Sequence, residues 1–170
     1  MRQDSNNYWE QLERLEKLIR ASELKAGIIF SFHSLILGIF VDRMNYFQSF
    51  FEQKTTFILV SVLWVGTVLI SIFYCFKCFW PRIEKDYDKN VFFFRDAVNA
   101  FGNSKEYSKK LMNVCVTEEE LVSQLAQQIY IESKIINQKF KCIQSSLKYF
   151  AISFVFFLIL LLLWIFQLNL

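Results

Sequence analysis

Three apolar runs, 26–41, 57–76 and 149–168, decide the solvent for most of this chain. A helix needs about 20 apolar residues to cross a hydrocarbon core of roughly 30 Å. The second and third runs reach that length. The first is shorter, but Leu24 extends it, and Lys25 can snorkel to the interface along its apolar stem. Composition agrees. The chain is 54% hydrophobic and 18% aromatic, whereas a soluble domain is roughly 45–50% apolar even with glycine counted. A secretory signal does not account for the first run, because a stretch of mixed charge precedes it and no small-residue cleavage pattern follows.

The distribution of Lys and Arg orients the spans. Segment 42–56 holds only Arg43 and Lys54, whereas 81–148 holds eleven basic residues and the N-terminal 25 residues hold five. The positive-inside rule then places the N-terminus and 81–148 in the cytoplasm. The loop 42–56 and the C-terminal tail face outward, and Tyr46, Phe47, Phe50 and Phe51 suit an aromatic belt. Net charge is only +3, which argues against nucleic acid as a partner.

Between the spans the pattern is helical. Tyr8, Leu12, Leu15, Ile19 and Ser22 recur three or four apart, which predicts an amphipathic helix running straight into the first span. Trp80 and Pro81 mark the end of the second. In 91–101, Val91, Phe92, Phe94, Ala97, Val98 and Phe101 predict one broad apolar helical face. Gly102-Asn103 reads as its end, Ser104 as the next N-cap, and 105–115 as a short helix. Thr117 and Glu120 form a capping box ahead of a stripe through Leu121, Leu125, Ile129, Glu132, Ile136, Phe140, Ile143 and Leu147. With no Gly or Pro beyond Asn103, one helix is expected from 118 through the third span. Its long stripe predicts a homo-oligomer.

The fold expected is an all-α membrane protein. A cytoplasmic amphipathic helix spans 1–25, and two transmembrane helices with the short external loop span 26–80. A cytoplasmic helical sensor region spans 81–148, and a third transmembrane helix spans 149–170.

Chemistry-bearing residues are few. Cys75 and Cys78 make a CxxC without a second pair, and a structural zinc site takes four ligands. The four cysteines are expected to be free thiols on the cytoplasmic side. His33 is an ionisable residue inside a span. It either bonds a neighbouring helix or lines a pore. No phosphate loop, dinucleotide fingerprint, nucleophile elbow or zinc-protease motif occurs, so an enzyme is not expected. The remaining groups that could hold a small anion and a base are Asn90, Phe94, Arg95 and Asp96, with Ser133, Lys134 and Asn137. A solvated charged face is the alternative for the same residues.

Three stretches carry a family resemblance. "SELKAGIIFSFHSLILG" resembles the acidic-x-Lys-Ala entry into the first span of the Pycsar transmembrane effectors of bacterial antiphage defence. "DKNVFFFRDA" is similar to the family's Asn- and Phe-rich segment after the second span. "LAQQIYIESKIINQKFKCIQSSLKYF" is similar to its long helix leading into the last one. The resemblance implies a ligand, 3′,5′-cyclic CMP or cyclic UMP, and a functional partner, a pyrimidine cyclase. It also implies an outcome, in which the cytoplasmic helices bind the nucleotide, the lipid bilayer loses integrity and growth stops in an abortive infection. Under that reading Asn90, Phe94, Arg95, Lys134 and Asn137 are the nucleotide-binding candidates. Glu23, Lys25 and His33 couple binding to the membrane. Two other readings are a membrane effector gated by a cyclic oligonucleotide, which would favour a more basic pocket, and a ligand-free scaffold or regulatory subunit.

Overall fold

The computed structural model describes residues 6–46, 55–80 and 88–168. Its elements are α1 (Asn6–Asp42), α2 (Thr55–Phe79), α3 (Phe94–Asn99), α4 (Ser104–Val114) and α5 (Glu118–Leu168), with no strand among the described residues. Three of these helices, α1, α2 and α5, are long and apolar enough to cross a membrane. The all-α membrane fold expected from the hydropathy runs is the fold observed. Pro81 and most of the outer aromatic cluster, Phe47, Phe50 and Phe51, lie outside the described residues. Tyr46 is described and exposed.

The chain divides into two compact units, 1–21 with 81–138 and 22–80 with 139–170. The first is the polar unit and the second the apolar unit. Both α1 and α5 run without a break through both sequence segments, over 37 and 51 residues. These divisions fall after residues 21 and 138, whereas the hydropathy reading sets its boundaries after 25 and 148. Residues 22–25 and 139–148 belong to the apolar unit, because Ser22, Glu23, Lys139 and Ser146 bond within it.

In the polar unit, α5 starts where the sequence indicates. Thr117 Oγ1 accepts from Glu120 N at 3.4 Å, and three glutamates in the first turn oppose the helix dipole. The core comprises Leu15, Val91, Phe93, Val114, Leu125, Ile131 and Ile136. The predicted stripe is only partly right. Leu125 and Ile136 are buried, but Ile129 is half-buried, while Gln128 and Ile131 take the buried positions. A hydropathy pattern cannot rank a glutamine as a core residue, so it passes over Gln128.

Residues 91–101 do not form one helix. An Asx-type turn precedes α3, with Asn90 Oδ1 accepting from Phe92 N at 2.9 Å, and Asp96 Oδ2 accepts from Asn90 N at 3.0 Å. These side chains offer the backbone an alternative to helix. Consequently Val91 and Phe93 point inward, while Phe94 and Val98 are exposed. Gly102 has φ +74°, a backbone region in which a side chain would be strained. The next N-cap is Asn103 rather than Ser104. Its side chain accepts from Lys105 N and Glu106 N.

The apolar unit has two packed clusters. Ala26, Ile29, Cys75, Cys78, Cys142 and Ile143 form one with Phe150 against them. Phe57, Trp64, Val68 and Leu160 form the other. Leu24, Phe32, Leu35, Val62, Leu69, Phe73, Val155 and Leu162 point outward, where lipid takes the place of water. Small polar residues point inward: Ser22, Ser61, Ser71, Ser146 and Ser153 are all buried. Ser71 Oγ donates to Ser146 O at 2.9 Å, and Ser146 Oγ donates to Ser71 O at 3.1 Å. The Cys75 thiol lies 3.0 Å from Ser146 Oγ. Small side chains let α2 and α5 approach closely, and their hydroxyls bond across the helix pair.

Candidate functional site

The polar unit contains a pocket of about 300 Å³ that none of the sequence candidates line. Trp9, Leu12 and Phe92 give its apolar wall, and Glu13, Glu16, Gln128 and Glu132 its polar side. α1 and α5 supply six of these residues, and the turn before α3 supplies Phe92. The rings of Trp9 and Phe92 meet edge to face, with centroids 5.3 Å apart and planes at 87°.

The polar side is rich in hydrogen-bond acceptors. Gln128 is 6% exposed. Its Nε2 donates to Glu132 Oε1 at 2.8 Å. Its Oε1 is buried with no hydrogen-bond partner among the described residues. Burial pushes the Glu132 carboxyl above the ordinary carboxylate range; the Gln128 bond opposes that rise, and the nearby Glu16 carboxylate adds to it. Glu13 and Glu16 each hold a cation one helical turn on, Lys17 at 2.7 Å and Arg20 at 2.6 Å.

The candidates read from sequence are placed differently. Asn90 is fully buried and positions the turn. Its Nδ2 donates to Gln124 O at 2.6 Å, while Gln124 Oε1 accepts from Val91 N at 3.3 Å. The Tyr107 hydroxyl donates to Val91 O at 3.1 Å. Phe94 is 75% exposed, and Arg95 follows it on α3 as a half-buried side chain. Lys134 is half-buried with its ammonium 5.2 Å from the centre of the Tyr130 ring, and Asn137 is exposed. Asp96 is buried against Asn90, and Ser133 is half-buried. None of these residues lines the pocket. Trp9, Gln128 and Glu132 are not among the sequence candidates. The sequence held only a glutamine and a glutamate one turn apart on α5 and a tryptophan on the N-terminal amphipathic helix, with no local sign that they meet.

The threshold residues of the first span have distinct environments in the apolar unit. The Lys139 side chain, 11% exposed, donates to Glu23 Oε1 and to Cys78 O, both at 2.7 Å. Cys78 lies in the last turn of α2, so Lys139 satisfies a carbonyl that has no partner within its own helix and opposes the negative end of the dipole. One ammonium thus ties α1, α2 and α5 together. Lys25 is exposed. His33 is buried, and its ring lies edge-on to Phe150 with centroids 5.0 Å apart. Its Nε2 has no hydrogen-bond partner among the described residues. Ser31 and Ser34 bond the carbonyls of Gly27 and Phe30 one turn back.

Two larger concavities lie on the apolar unit. One of about 750 Å³ is lined by residues of α1 and Phe79, and one of about 450 Å³ by Phe40, Arg43, Phe157 and Trp164 among others. Their linings are mostly aliphatic and aromatic side chains of the spans, which fits acyl chains.

No curated protein and no solved structure matches this chain. A family model does: the Pycsar effector protein domain, matched over residues 7–166. That match takes in all three apolar helices, the turn before α3 and the pocket-bearing length of α5, and by it the chain belongs to the Pycsar effector protein family.

Proposed function

We propose that this antiphage effector binds a 3′,5′-cyclic pyrimidine mononucleotide, cyclic CMP or cyclic UMP, in its polar unit and then impairs the integrity of the bacterial inner membrane. The signal would come from a pyrimidine cyclase made alongside it. The polar unit would be cytoplasmic, with the N-terminus on the same side, as the Lys and Arg bias suggests. The observation that carries the reading is the continuity of α1 and α5. Each is a single helix with one length in the polar unit and another in the apolar unit. A ligand that prefers one arrangement of the polar helices therefore acts on helices that continue into the spans, and it shifts the spans by its differential affinity for the two arrangements.

Within that reading Glu23 and Lys139 are the coupling pair, because they join all three spans where α1 enters the apolar unit. Lys25 anchors at the headgroups, and His33 fills the interior of the spans. Phe94, Arg95, Lys134 and Asn137 form one proposed contact set for the nucleotide, and Asn90 shapes the turn beside them. A homo-oligomer would gather several sets of spans into one lesion.

Titration of the purified protein in nanodiscs with cyclic CMP, cyclic UMP and cyclic AMP tests the reading, together with dye release from liposomes that contain the protein. The expected result is saturable binding of a pyrimidine nucleotide, and dye release that begins over the same concentration range. Dye release with no added nucleotide, or the absence of binding by any of the three, refutes it.

A further inference from the structure

We infer that the pocket of Trp9, Phe92, Gln128 and Glu132 receives the base of the ligand, and that it is built for a flat ring bearing an exocyclic amine. This rests on the reading that the polar unit binds a cyclic pyrimidine nucleotide, and it assigns the residues that touch the base.

Size and wall come first. About 300 Å³ is at the lower end for ligand pockets, which run from roughly 300 to 1,000 Å³. That volume holds a single ring more readily than a whole nucleotide. Trp9 and Phe92 supply aromatic surface, and a base stacks on such surface whatever its edge carries.

The edge is selected by the polar side. Gln128 Oε1 is a buried acceptor with no donor among the described residues, and the Glu132 carboxylate is a second acceptor next to it. The amide donor of Gln128, Nε2, is already engaged by Glu132. A cytosine-type amine carries two N–H groups and can feed both acceptors. A uracil-type ring presents a carbonyl oxygen at the same position, which would face the carboxylate. Burying an acceptor unpaired is unfavourable, so filling Gln128 Oε1 adds to the gain on binding.

Charge sets the direction of the rest of the ligand. Glu13, Glu16 and Glu132 repel a cyclic phosphate from the interior of the pocket. Lys17 and Arg20, held on Glu13 and Glu16, place cations beside it. The ring therefore enters and the phosphate stays at the rim. The raised carboxyl of Glu132 fits this arrangement, since an amine donor would stabilise its ionised form.

The test compares four proteins by calorimetry in nanodiscs: the parent, Gln128→Leu, Glu132→Gln, and a double variant with Arg95→Ala and Lys134→Ala. Cyclic CMP and cyclic UMP are the probes. The parent is expected to bind cyclic CMP more tightly than cyclic UMP. Gln128→Leu should weaken cyclic CMP by about tenfold or more, the loss expected for one hydrogen bond to a charged or buried partner. Glu132→Gln keeps the side-chain shape but adds an N–H donor that suits a uracil carbonyl. It should narrow or reverse the preference between the two nucleotides, which a purely structural role would not do. If both pocket variants keep the parent's affinities and the parent's preference, the pocket assignment is wrong. A loss confined to the double variant then moves the site to Arg95 and Lys134. If the parent binds neither nucleotide, the functional reading falls and the pocket assignment falls with it.

Discussion

The two units are built on the same two long helices but expose opposite chemistry. Inward, α5 is mixed in both: Leu125, Gln128, Ile131 and Ile136 in the polar unit, and Cys142, Ile143, Ser146, Ser153 and Leu160 in the apolar unit. Its outward residues reverse, from Glu119 and Ser123 to Phe154, Val155 and Leu162. The cause is the solvent. Against water the gain comes from removing apolar surface. Against lipid tails that gain vanishes, and close packing with interhelical hydrogen bonds becomes the source of association. Buried polar groups therefore differ in kind. In the polar unit the buried Asn90 and Asp96, with the half-buried Gln124, bond loop backbone and shape a turn; in the apolar unit Ser71 and Ser146 bond helix to helix.

A proline tests whether the polar unit can be broken alone. Leu125→Pro removes a helical hydrogen bond and a fully buried side chain, so it should cost about 3 kcal/mol or more. Hydrogen exchange is expected to rise across α3, α4 and the first turns of α5, and toxicity and any assembly to be lost, while the protein still fractionates with membranes. Protection that stays at the parental level in α3 and α4 would show that the polar unit is not organised by this stripe.

Removal of one charge probes the apolar unit with a smaller effect. Lys139→Met leaves Glu23 and Cys78 O without their shared donor, a loss of about 1.5–3 kcal/mol for a charge-assisted bond. Glu23 is partly exposed and can recover some of this through solvent, so the lower end is expected. The melting temperature in nanodiscs should fall, with nucleotide affinity less affected than dye release. An equal loss of both would remove the distinction between sensing and coupling.

The serine pair sharpens the comparison further. Ser146→Ala should cost about 0.6 kcal/mol, the average of hydrogen bonds measured between membrane helices. A cost several times larger would mean that the apolar unit relies on polar bonds rather than on packing.

Glu132→Gln has the smallest effect and the opposite sign. The neutral carboxyl is favoured in the folded polar unit, so the parent's stability from this group is full below its ordinary pKa of 4.5 and is lost as pH rises through the raised value. Gln128, Glu16 and Glu13 face the group, with Arg20 paired to Glu16 and Lys17 to Glu13. The variant should therefore melt higher than the parent at pH 7, and the difference should shrink toward pH 4. A constant difference across that range would rule out titration of Glu132 as its cause.

The sequence by itself determined the large-scale architecture. Runs 26–41, 57–76 and 149–168 could only be spans, the absence of Gly and Pro beyond Asn103 made α5 a single helix, and Thr117 with its three glutamates set its start. These features are local or depend on solvent transfer alone, and both are written residue by residue. What surrounds Asn90 was decided by tertiary structure, because Asp96 and Gln124 complete its bonding from 6 and 34 residues away. The same holds for the pocket, where Trp9 and Phe92 are brought to Gln128 and Glu132. It holds again for Lys139, which looks like one more interfacial lysine until its distance to Glu23 and Cys78 is known. A charge or an amide states its capacity for bonds in the sequence, but only the packing of α1 and α5 against their neighbours decides which partner fills it, and so which polar residues hold the fold and which are left to meet a ligand.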